Sequence, residues 1–349
     1  MKSDELKNES WKEFDFDELD LEIINSKAYH SANVEEDNTG IAYLTRTIYD
    51  NGFNMCVKNN ALKINPANTI SFGAESAHFF YQQFKHITGN KMYYIKNVRI
   101  NKFIGLFLQC SLQSSVEKCF SFGNGMIPER VKKKKIVLPV DANGEPNRGF
   151  MEQYIKNIEQ KKVIDYIAFA SKKMKKNEYK RISELKGKKW KEFYIGDIYD
   201  IKSGCSLTKE NMINGNTPFI GASANNNAVT NFVSNTNRSL DKNVVNINFN
   251  GSVGEAFYHP YTALFSGDVK RLHLKDYPDN EYINLFIITS IKSQKDKYSY
   301  GYKFSEKRMI RQYIKLLVND AGNPDYEYME QYIKNLEYNK IIEYMAYIA

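Results

Sequence analysis

Two segments of the chain carry apolar side chains at the spacing of an amphipathic helix. The first begins near residue 150, and the second runs from residue 328 to the end. At about 100° per residue, their large apolar side chains fall on one face. In the first segment this stripe comprises Met151, Tyr154, Ile155, Ile158, Tyr166 and Phe169, and in the second it comprises Met329, Tyr332, Ile333, Leu336, Tyr344 and Tyr347. Each predicted helix therefore needs a partner along one face.

Ahead of each helix the pattern is that of short β-strands. Aromatic and β-branched residues at 41–49 and 244–249 are followed by Asn-Gly, which is typical of strands joined by tight turns. A short helix is predicted at 101–119 and again at 280–297. A loop that contains Gly, a basic strand and the terminal helix follow in each case. Each unit is predicted to be α+β, with a mostly β globular head and a helical tail.

The two helices belong to a duplication of the whole chain. Phe150-Met-Glu-Gln-Tyr-Ile-Lys-Asn-Ile-Glu159 returns 178 positions later as Tyr328-Met-Glu-Gln-Tyr-Ile-Lys-Asn-Leu-Glu337. Trp11-Lys-Glu-Phe14 likewise returns as Trp190-Lys-Glu-Phe193. A repeat of this length is a duplicated domain, since solenoid units have about 20 to 50 residues. We therefore predict heads at 1–149 and 177–327 and helical spacers at 150–176 and 328–349.

Pairing the two helices antiparallel would cover both apolar stripes and give a tandem pseudo-twofold repeat. The alternative is that each helix packs on its own head, as an ordinary amphipathic helix does.

Composition limits the class of protein. The chain has 349 residues, 42% of them apolar, and a net charge of +8, which permits nucleic-acid binding without requiring it. It has no apolar run of about 18 residues, and its charged start is unlike a signal peptide, so we expect a soluble, cytoplasmic protein without a membrane partner. The four cysteines lack paired C-x-x-C spacing, so reduced thiols are expected rather than a disulfide framework or a zinc site.

The sequence predicts no catalytic residue, no metal site and no cofactor in this chain. Asn65-Pro-Ala-Asn68 lacks the second Pro and the aromatic residue of a DNA amino-methyltransferase loop. Phe122-Gly-Asn-Gly125 lacks the acidic residue that should follow a nucleotide-binding glycine loop. Asp279 and Glu281 lack the following Lys of a nuclease centre.

An ordered set of motifs resembles a known family. A Trp-Lys-Glu-Phe lead-in precedes Phe219-Ile-Gly-Ala-Ser-Ala-Asn-Asn-Asn-Ala228, Asn248-Phe-Asn-Gly-Ser-Val-Gly-Glu-Ala-Phe-Tyr258, Tyr298-Ser-Tyr-Gly-Tyr-Lys-Phe-Ser305 and a Glu-Gln-Tyr-Ile helix. This order resembles the DNA specificity (S) subunits of restriction-modification systems, over nearly the whole chain and twice. Its short helices are more similar to the small S subunits of type IIB (BcgI-like) systems than to the long-spacer type I subunits.

The resemblance implies two target recognition domains, each reading one half of a split DNA sequence. It implies double-stranded DNA and two methyltransferase (modification) subunits as partners, with S-adenosylmethionine in the methyltransferase, and a restriction subunit or fused nuclease. The helices of such subunits act as a ruler. Here about 22 residues would span roughly 33 Å, close to one turn of B-DNA at about 34 Å. We therefore expect an asymmetric, bipartite target with an unread spacer.

Candidates for DNA contact are polar and basic residues of the predicted loops, because amides pair bidentately with adenine and Lys and Arg neutralise phosphates. In the first head they are Tyr49, Asn51, Gly73, Asn124, Arg130 and Lys133. In the second head they are Asn225, Asn226, Asn227, Asn250, Ser252, Lys270, Arg271, Tyr302, Lys303 and Arg308. Ordinary turns at the Asn-rich loops, and a solvated edge at Lys270 and Arg271, remain alternatives.

The apolar stripes supply the candidates for partner binding. They are Met151, Tyr154, Ile155, Ile158, Met329, Tyr332, Ile333 and Leu336, with Glu152, Gln153, Glu330 and Gln331 beside them. A protein from another class would fit the same duplication. In a two-headed protein-interaction scaffold without DNA readout the basic charge is incidental, and DNA affinity that falls with salt distinguishes the two.

Overall fold

The computed structural model describes residues 4–59, 61–116, 119–120, 124–299 and 301–348. The chain divides into two compact units, Met1–Asp165 (unit 1) and Tyr166–Ala349 (unit 2). The dividing point lies within a long helix, Arg148–Lys176. The first part of this helix therefore belongs to unit 1 and the rest to unit 2. The division into two heads and two spacers made from the sequence is finer than these two units and stays a prediction.

Unit 1 contains mixed strands and helices. Its strands are β1 (Trp11–Phe14), β2 (Glu22–Asn25), β3 (Glu36–Leu44), β4 (Phe53–Val57), β5 (Thr69–Gly73), β6 (Phe79–Gln82), β7 (His86–Thr88), β8 (Met92–Lys96) and β9 (Ile136–Pro139). Its helices are α1 (Asp4–Lys7), α2 (Lys102–Val116), α3 (Pro128–Val131) and the first part of α4 (Arg148–Lys176). The strands form sheets with the orders β2-β8-β5-β6, β4-β3-β7 and β1-β9.

The core of unit 1 lies between α2 and the four-stranded sheet. Every residue of β5 is buried, so this central strand is covered on both faces. Phe107 and Leu112 of α2 belong to the same buried cluster as Ile70 and Phe72 of β5. Gly105 permits a close approach of α2 to the sheet, because a Cβ there would lie 2.4 Å from the ring of Tyr81. The short helix predicted at 101–119 is present as α2, and its buried side chains form part of the core of this head.

Unit 2 repeats this set of elements. Its strands are β10 (Trp190–Tyr194), β11 (Tyr199–Ser203), β12 (Asn214–Ile220), β13 (Val229–Val233), β14 (Leu240–Asp241), β15 (Val244–Asn248), β16 (Ala256–His259), β17 (Ala263–Phe265), β18 (Val269–Leu274) and β19 (Tyr313–Leu317). Its helices are α5 (Ile195–Ile198), α6 (Glu281–Lys292), α7 (Glu306–Ile310) and α8 (Tyr326–Ile348), together with the second part of α4. The sheets have the orders β11-β18-β15-β16, β13-β12-β17-β14 and β10-β19.

The two sheet systems correspond strand by strand. The order β11-β18-β15-β16 matches β2-β8-β5-β6, and the parallel pair β12/β17 matches the parallel pair β3/β7. In each unit the lead-in strand pairs antiparallel with the strand before the terminal helix, as β1 with β9 and β10 with β19. Unit 2 adds β14 and α5. The duplicated α+β fold predicted from the sequence is confirmed.

Both terminal helices begin at a side-chain cap. Asn147 Oδ1 accepts from the Phe150 N–H at 3.0 Å, and Asp325 Oδ1 accepts from the Tyr328 N–H at 3.1 Å. Such caps satisfy backbone donors that have no partner within the helix. The helices begin at Arg148 and Tyr326, two residues before the predicted positions.

Within unit 2 the second part of α4 runs antiparallel to α8. The ring centres of Tyr166 and Tyr344 lie 4.5 Å apart, and Lys173 Nζ lies 3.0 Å from Glu337 Oε1. Seven residues forward along α4 therefore correspond to seven residues back along α8. Lys173 Nζ also lies 3.4 Å from Glu281 Oε1 of α6, so one cation joins three helices. The antiparallel pairing predicted from the apolar stripes is present in this part of the helices.

The structure can be compared with the sequence-based expectations for disulfides and for membrane-spanning helices. Cys56, Cys110, Cys119 and Cys205 are all free thiols. Within the described ranges, no helix combines the length and the apolar character needed to cross a lipid bilayer.

Candidate nucleic-acid interface

A left-handed turn joins corresponding strands in the two heads. Asp50–Gly52 connects β3 to β4, and Asn226–Ala228 connects β12 to β13. The middle residues, Asn51 and Asn227, have φ of 59° and 53°, in the left-handed region that Asn enters more readily than most residues. Each turn is closed by a backbone bond of 2.9 Å, to Tyr49 O in one head and to Asn225 O in the other. The two loops therefore have the same backbone conformation at corresponding places in the two heads.

The middle Asn of each turn holds the loop in place. Asn51 Nδ2 donates to Tyr81 O at 3.3 Å, and Asn227 Nδ2 donates to Tyr258 O at 3.4 Å. The amide nitrogen of each is therefore used within its own head. These contacts differ from the adenine-reading role that the sequence suggested for Asn51 and Asn227. Asn51 and Asn227 are nevertheless exposed, as are their neighbours Asn225 and Asn226, and Tyr49 is 67% exposed.

A cleft opens beside the turn of the first head. It has a volume of about 360 Å³, and its lining includes Asn51, Phe53, Gln82, Phe84 and His86. Phe84 is 73% exposed, so its ring is accessible for contact with a partner. Burial lowers the pKa of His86, which favours the neutral imidazole. Sequence reasoning missed Phe84; the signal was an aromatic residue between polar ones, Gln83 and Lys85.

An Arg braces a second loop in both heads through the same bond. Arg130 Nη1 donates to Gly125 O at 3.1 Å, and Arg308 Nη1 donates to Lys303 O at 2.7 Å. In the structure, Arg130 and Arg308 hold this loop in place. Their predicted contact with DNA stays a prediction.

The tip of this braced loop differs between the heads. In the first head, Asn124 Oδ1 accepts from Arg130 at 2.8 Å. In the second head, the Arg308 guanidinium lies 3.7 Å from the ring centre of Tyr302, which is 51% exposed. The predicted loop segments Phe122–Gly125 and Tyr300–Lys303 are described only in part, because residues 121–123 and 300 lie outside the described residues.

The prediction of DNA contacts for Lys270 and Arg271 is wrong. The two residues are only 9% and 6% exposed, on β18. Lys270 Nζ bonds Glu306 Oε2 and Ser203 Oγ at 2.6 Å each, and Arg271 Nη1 lies 2.6 Å from Asp241 Oδ2. Both charges are paired inside the head, since a buried charge needs a partner. The alternative of a solvated edge is excluded by the same burial.

The network around Asp241 extends to a histidine. His273 Nε2 lies 3.1 Å from Asp241 Oδ2, and His273 Nδ1 lies 2.6 Å from Asp279 Oδ2. The hydrogen bond with Asp279 raises the pKa of His273. This cluster therefore ties β14 and β18 to the segment before α6.

Three further candidates have structural roles. Gly73 is buried, and a Cβ there would lie 2.7 Å from Arg46 Cγ, so it permits close packing and cannot itself touch DNA. Asn250 Nδ2 donates to Asp268 Oδ1 at 2.8 Å, and the Ser252 N–H donates to Ala222 O at 3.1 Å. The loop that contains them joins the antiparallel strands β15 and β16, and these bonds tie it to other segments of the same head. Lys133 is exposed, as its prediction requires.

The predicted partner residues fall into three groups by burial. Met151 and Met329 are 1% and 0% exposed and belong to the cores of their own heads, so the prediction of partner contacts is wrong for them. The partly buried residues pack against these cores, and they are Tyr154, Ile155, Tyr332 and Ile333. Ile158 and Leu336 are 41% and 43% exposed. The first turns of both helices therefore pack on their own heads, as the alternative stated.

Comparison with known proteins gives matches over both repeats. A family model described as the type I restriction modification DNA specificity domain matches residues 8–167 and 187–344. The specificity subunit S.BcgI of a type II restriction enzyme from Heyndrickxia coagulans is 37% identical over 328 residues, which cover 92% of this chain and 93% of the relative.

One solved structure is similar in fold. The S subunit of a type I restriction-modification system from M. genitalium has a TM-score of 0.54 at 16% identity, over 97% of this chain and 92% of that chain. The HsdS subunit from Thermoanaerobacter tengcongensis has a TM-score of 0.33 at 13% identity, over 96% and 90% of the two chains.

The two segments matched by the family model correspond to the two repeats. The relative from Heyndrickxia coagulans is matched over nearly its whole length. The alternative of a protein-interaction scaffold without DNA readout is therefore not retained. The chain belongs to the family of DNA specificity subunits of restriction-modification systems, which recognise the target sequence and are not themselves catalytic.

Proposed function

We propose that the two heads read different halves of an asymmetric, bipartite DNA target separated by an unread spacer. One observation carries this proposal. The two heads use the same left-handed turn, held by the same Asn-to-carbonyl bond, but present different side chains beside it. Tyr49 and Asp50 stand in the first head where Asn225 and Asn226 stand in the second. Because the turn has the same backbone in both heads, it would present its side chains to DNA in the same way. Since these side chains differ between the heads, they would recognise different base edges.

The exposed side chains suit the major groove. Asn225 and Asn226 are exposed amides, and an amide can bond N6 and N7 of adenine together. Tyr49 offers a large apolar ring and one hydroxyl. The braced loop, with Arg130 in one head and Arg308 in the other, is proposed to lie against phosphates and to fix the register.

We also propose that methyltransferase subunits, two per chain, dock on the later turns of α4 and α8. Exposed apolar side chains on these helices support the proposal, since such surfaces mark protein interfaces. Ile164 is 65% exposed and Ile342 is 45% exposed. The methyltransferase would bring S-adenosylmethionine, and a restriction subunit or fused nuclease would complete the system. The identity to S.BcgI supports a BcgI-like type II system.

Mapping of methylated sites tests the readout. A host would express the methyltransferase with the chain carrying either Tyr49→Ala or Asn226→Ala, and each variant serves as the control for the other. A lost bidentate base contact is worth about 1–3 kcal/mol of discrimination, which is roughly 5-fold to 150-fold. We expect each variant to relax one half-site and leave the other half-site and the spacer unchanged. Relaxation of both halves by one substitution, or of neither by either, would contradict the proposal.

A further inference from the structure

The net positive charge of the chain lies in one segment of unit 2, residues 171–191 (the basic segment). This segment holds ten Lys and Arg but only two Glu, a formal charge of +8, and the charge of the whole chain is also +8. The charged residues in the rest of the sequence therefore cancel. Residues 180–191 contribute +5, whereas residues 1–12, which correspond to them through the match of Trp11 with Trp190, contribute no net charge. The charge is therefore not a property of the repeat.

Side chains of α8 hold the backbone of the basic segment. Asn335 Nδ2 donates to Lys180 O at 2.7 Å, and Asn335 Oδ1 accepts from the Lys180 N–H at 3.2 Å. Gln331 Nε2 donates to Glu178 O at 2.9 Å. Gln331, which was expected beside a partner, is used within unit 2. Because all these bonds are made to main-chain atoms, they fix the segment without occupying its side chains.

The apolar and the charged side chains of the basic segment are used differently. Ile182 and Leu185 pack against the buried core of the second head. Some cations are paired, as Lys188 is with Asp325 at 3.5 Å. Others are exposed and form no ion pair with any residue that the structure describes, and they are Lys172, Lys175, Arg181, Lys186 and Lys189. The segment therefore presents a fixed row of unpaired positive charges.

The end of α4 explains only part of this pattern. Cations in the last turn of a helix interact favourably with its dipole, and Lys175 and Lys176 lie there. The helix ends at Lys176, so Arg181, Lys186 and Lys189 have no such role. Exposed like charges that lie closer together than about 10 Å repel one another at ordinary salt. An anionic partner would remove that repulsion.

The basic segment passes beside the reading turn of the second head. Lys176 and Pro260 line the same cleft, which has a volume of about 320 Å³. Asn227 Nδ2, in the turn, donates to Tyr258 O at 3.4 Å and to the Tyr261 hydroxyl at 3.5 Å, on either side of Pro260. The carboxylates that line the cleft each lie within 3.4 Å of a basic side chain, in the pairs Asp279–His273, Glu281–Lys173 and Glu330–Lys334. DNA held at this turn would therefore bring its phosphates near the segment.

We propose that the exposed cations of the basic segment bind phosphates of double-stranded DNA, outside the loops that read bases. DNA carries one negative charge per about 1.7 Å of its axis, so it offers partners to cations that are spread along the segment. Such contacts supply affinity and register but no sequence information. Since the rest of the chain has no net charge, this segment supplies the net electrostatic attraction of the chain for DNA. The inference rests on DNA recognition by this family, and not on how the two heads divide the target.

The test measures how DNA affinity depends on salt for the full-length chain in complex with its cognate methyltransferase subunit. The test variant carries Arg181→Gln, Lys186→Gln and Lys189→Gln. The matched control removes three exposed cations of the second head outside the segment, by Lys202→Gln, Lys209→Gln and Lys242→Gln. Filter binding between about 50 and 200 mM salt would use one duplex with the methylated target and one without it.

Each lost phosphate contact reduces the slope of log affinity against log salt by about 0.9. We therefore expect the slope of the test variant to become shallower by about 2 to 3, with both duplexes weakened alike and the methylated sequence unchanged. The slope of the control should stay close to that of the unchanged chain. A charge-preserving variant with Arg181→Lys, Lys186→Arg and Lys189→Arg should keep the original slope.

Other outcomes overturn the inference in distinguishable ways. An unchanged slope in the test variant would show that the segment does not contact DNA. Equal changes of slope in the test variant and the control would show that only total charge matters. If calorimetry shows weaker binding of the methyltransferase at an unchanged DNA slope, the segment faces an acidic protein surface instead. If the test variant melts several degrees lower, Lys186→Gln alone takes its place, with an expected change of about 0.9, and no change would overturn the inference.

Discussion

At the scale of single residues, burial decides what the charged side chains of the second head do. Lys270 and Arg271 follow a Ser-Gly-Asp turn, and in the sequence they look like a basic edge. Their acidic partners, Glu306 and Asp241, are 36 and 30 residues away. Nothing in the local sequence reports a partner at that distance, so their burial could not be predicted. The Asn-rich turns were predictable, because the αL preference of Asn is a local property.

Removing the carboxylate of Asp241 should strongly destabilise the second head. In Asp241→Ala the Arg271 guanidinium, whose side chain is 7% exposed, stays buried without its counter-charge. Breaking a buried pair in this way costs about 3–5 kcal/mol, which urea unfolding would measure. The matched control is Glu35→Ala, which removes an exposed partner of Lys58 and should change stability little. Equal effects of the two substitutions would refute the argument from burial.

His259 should make the second head sensitive to acid. Burial lowers its pKa to about 4 from the ordinary 6.5, and Nε2 lies 2.8 Å from Asn246 Oδ1. Below pH 6.5 the unfolded chain binds a proton that the folded chain does not bind until about pH 4. Stability that is present above pH 6.5 is therefore lost as the pH falls towards 4, at up to about 1.4 kcal/mol per pH unit.

The comparison of His259→Gln with the unchanged chain isolates this effect. Gln keeps a side-chain amide near Asn246 but does not titrate. Between pH 7 and pH 5 the unchanged chain should lose roughly 2 kcal/mol more free energy of unfolding than the variant. Chemical denaturation at the two pH values gives both differences. Parallel losses in the two proteins would show that His259 does not titrate as argued.

At the scale of elements, the apolar stripes predicted helices that need partners but not which partner each turn would have. Met151 and Ile158 belong to the same stripe in the sequence, yet they are 1% and 41% exposed. The difference arises because only part of the stripe faces the core of the head, and the sequence of the helix alone does not report which part. The apolar periodicity therefore predicted the helices, and tertiary packing determined which residues of each stripe are buried and which are exposed.

The antiparallel contact of α4 with α8 should depend on Lys173. This cation lies between Glu281 and Glu337, whose side chains are 29% and 30% exposed. Lys173→Glu would place three carboxylates together and weaken the contact. Hydrogen exchange of amides 166–176 should then become faster. Adding Glu337→Lys to this variant should restore protection, and failure of this second change to restore it would exclude a charge-dependent contact.

The lengths of the two helices should set the spacer in the DNA target. Inserting seven residues into both α4 and α8 keeps the helical phase and adds about 10.5 Å at 1.5 Å per residue. That length corresponds to about 3 base pairs at 3.4 Å each. Methylation mapping should show the same two half-sites separated by a longer gap. An unchanged gap in an active complex would show that the helices are not the ruler.

At the scale of the whole molecule, the duplication is both the feature that the sequence predicts best and the source of the proposed asymmetry. Repeated anchors such as Trp11 and Trp190 gave the offset, and the sheets confirm it strand by strand. The reading surfaces were less predictable. The residues that hold the loops are the same in the two heads, whereas the residues at the loop tips differ. Arg130 and Arg308, which hold the loops, are therefore matched in sequence, and the tip residues Asn124 and Tyr302 are not.

The central claim, that each head reads its own half of the target, is tested most directly by making the heads identical. Residues 190–317 would replace residues 11–139, so that both positions carry the second head on unchanged helices. Methylated sites would then be mapped in a host that expresses this chain with the methyltransferase. The account predicts that the target becomes an inverted repeat of the second half-site with the original spacer. A target that keeps its original first half-site would contradict it.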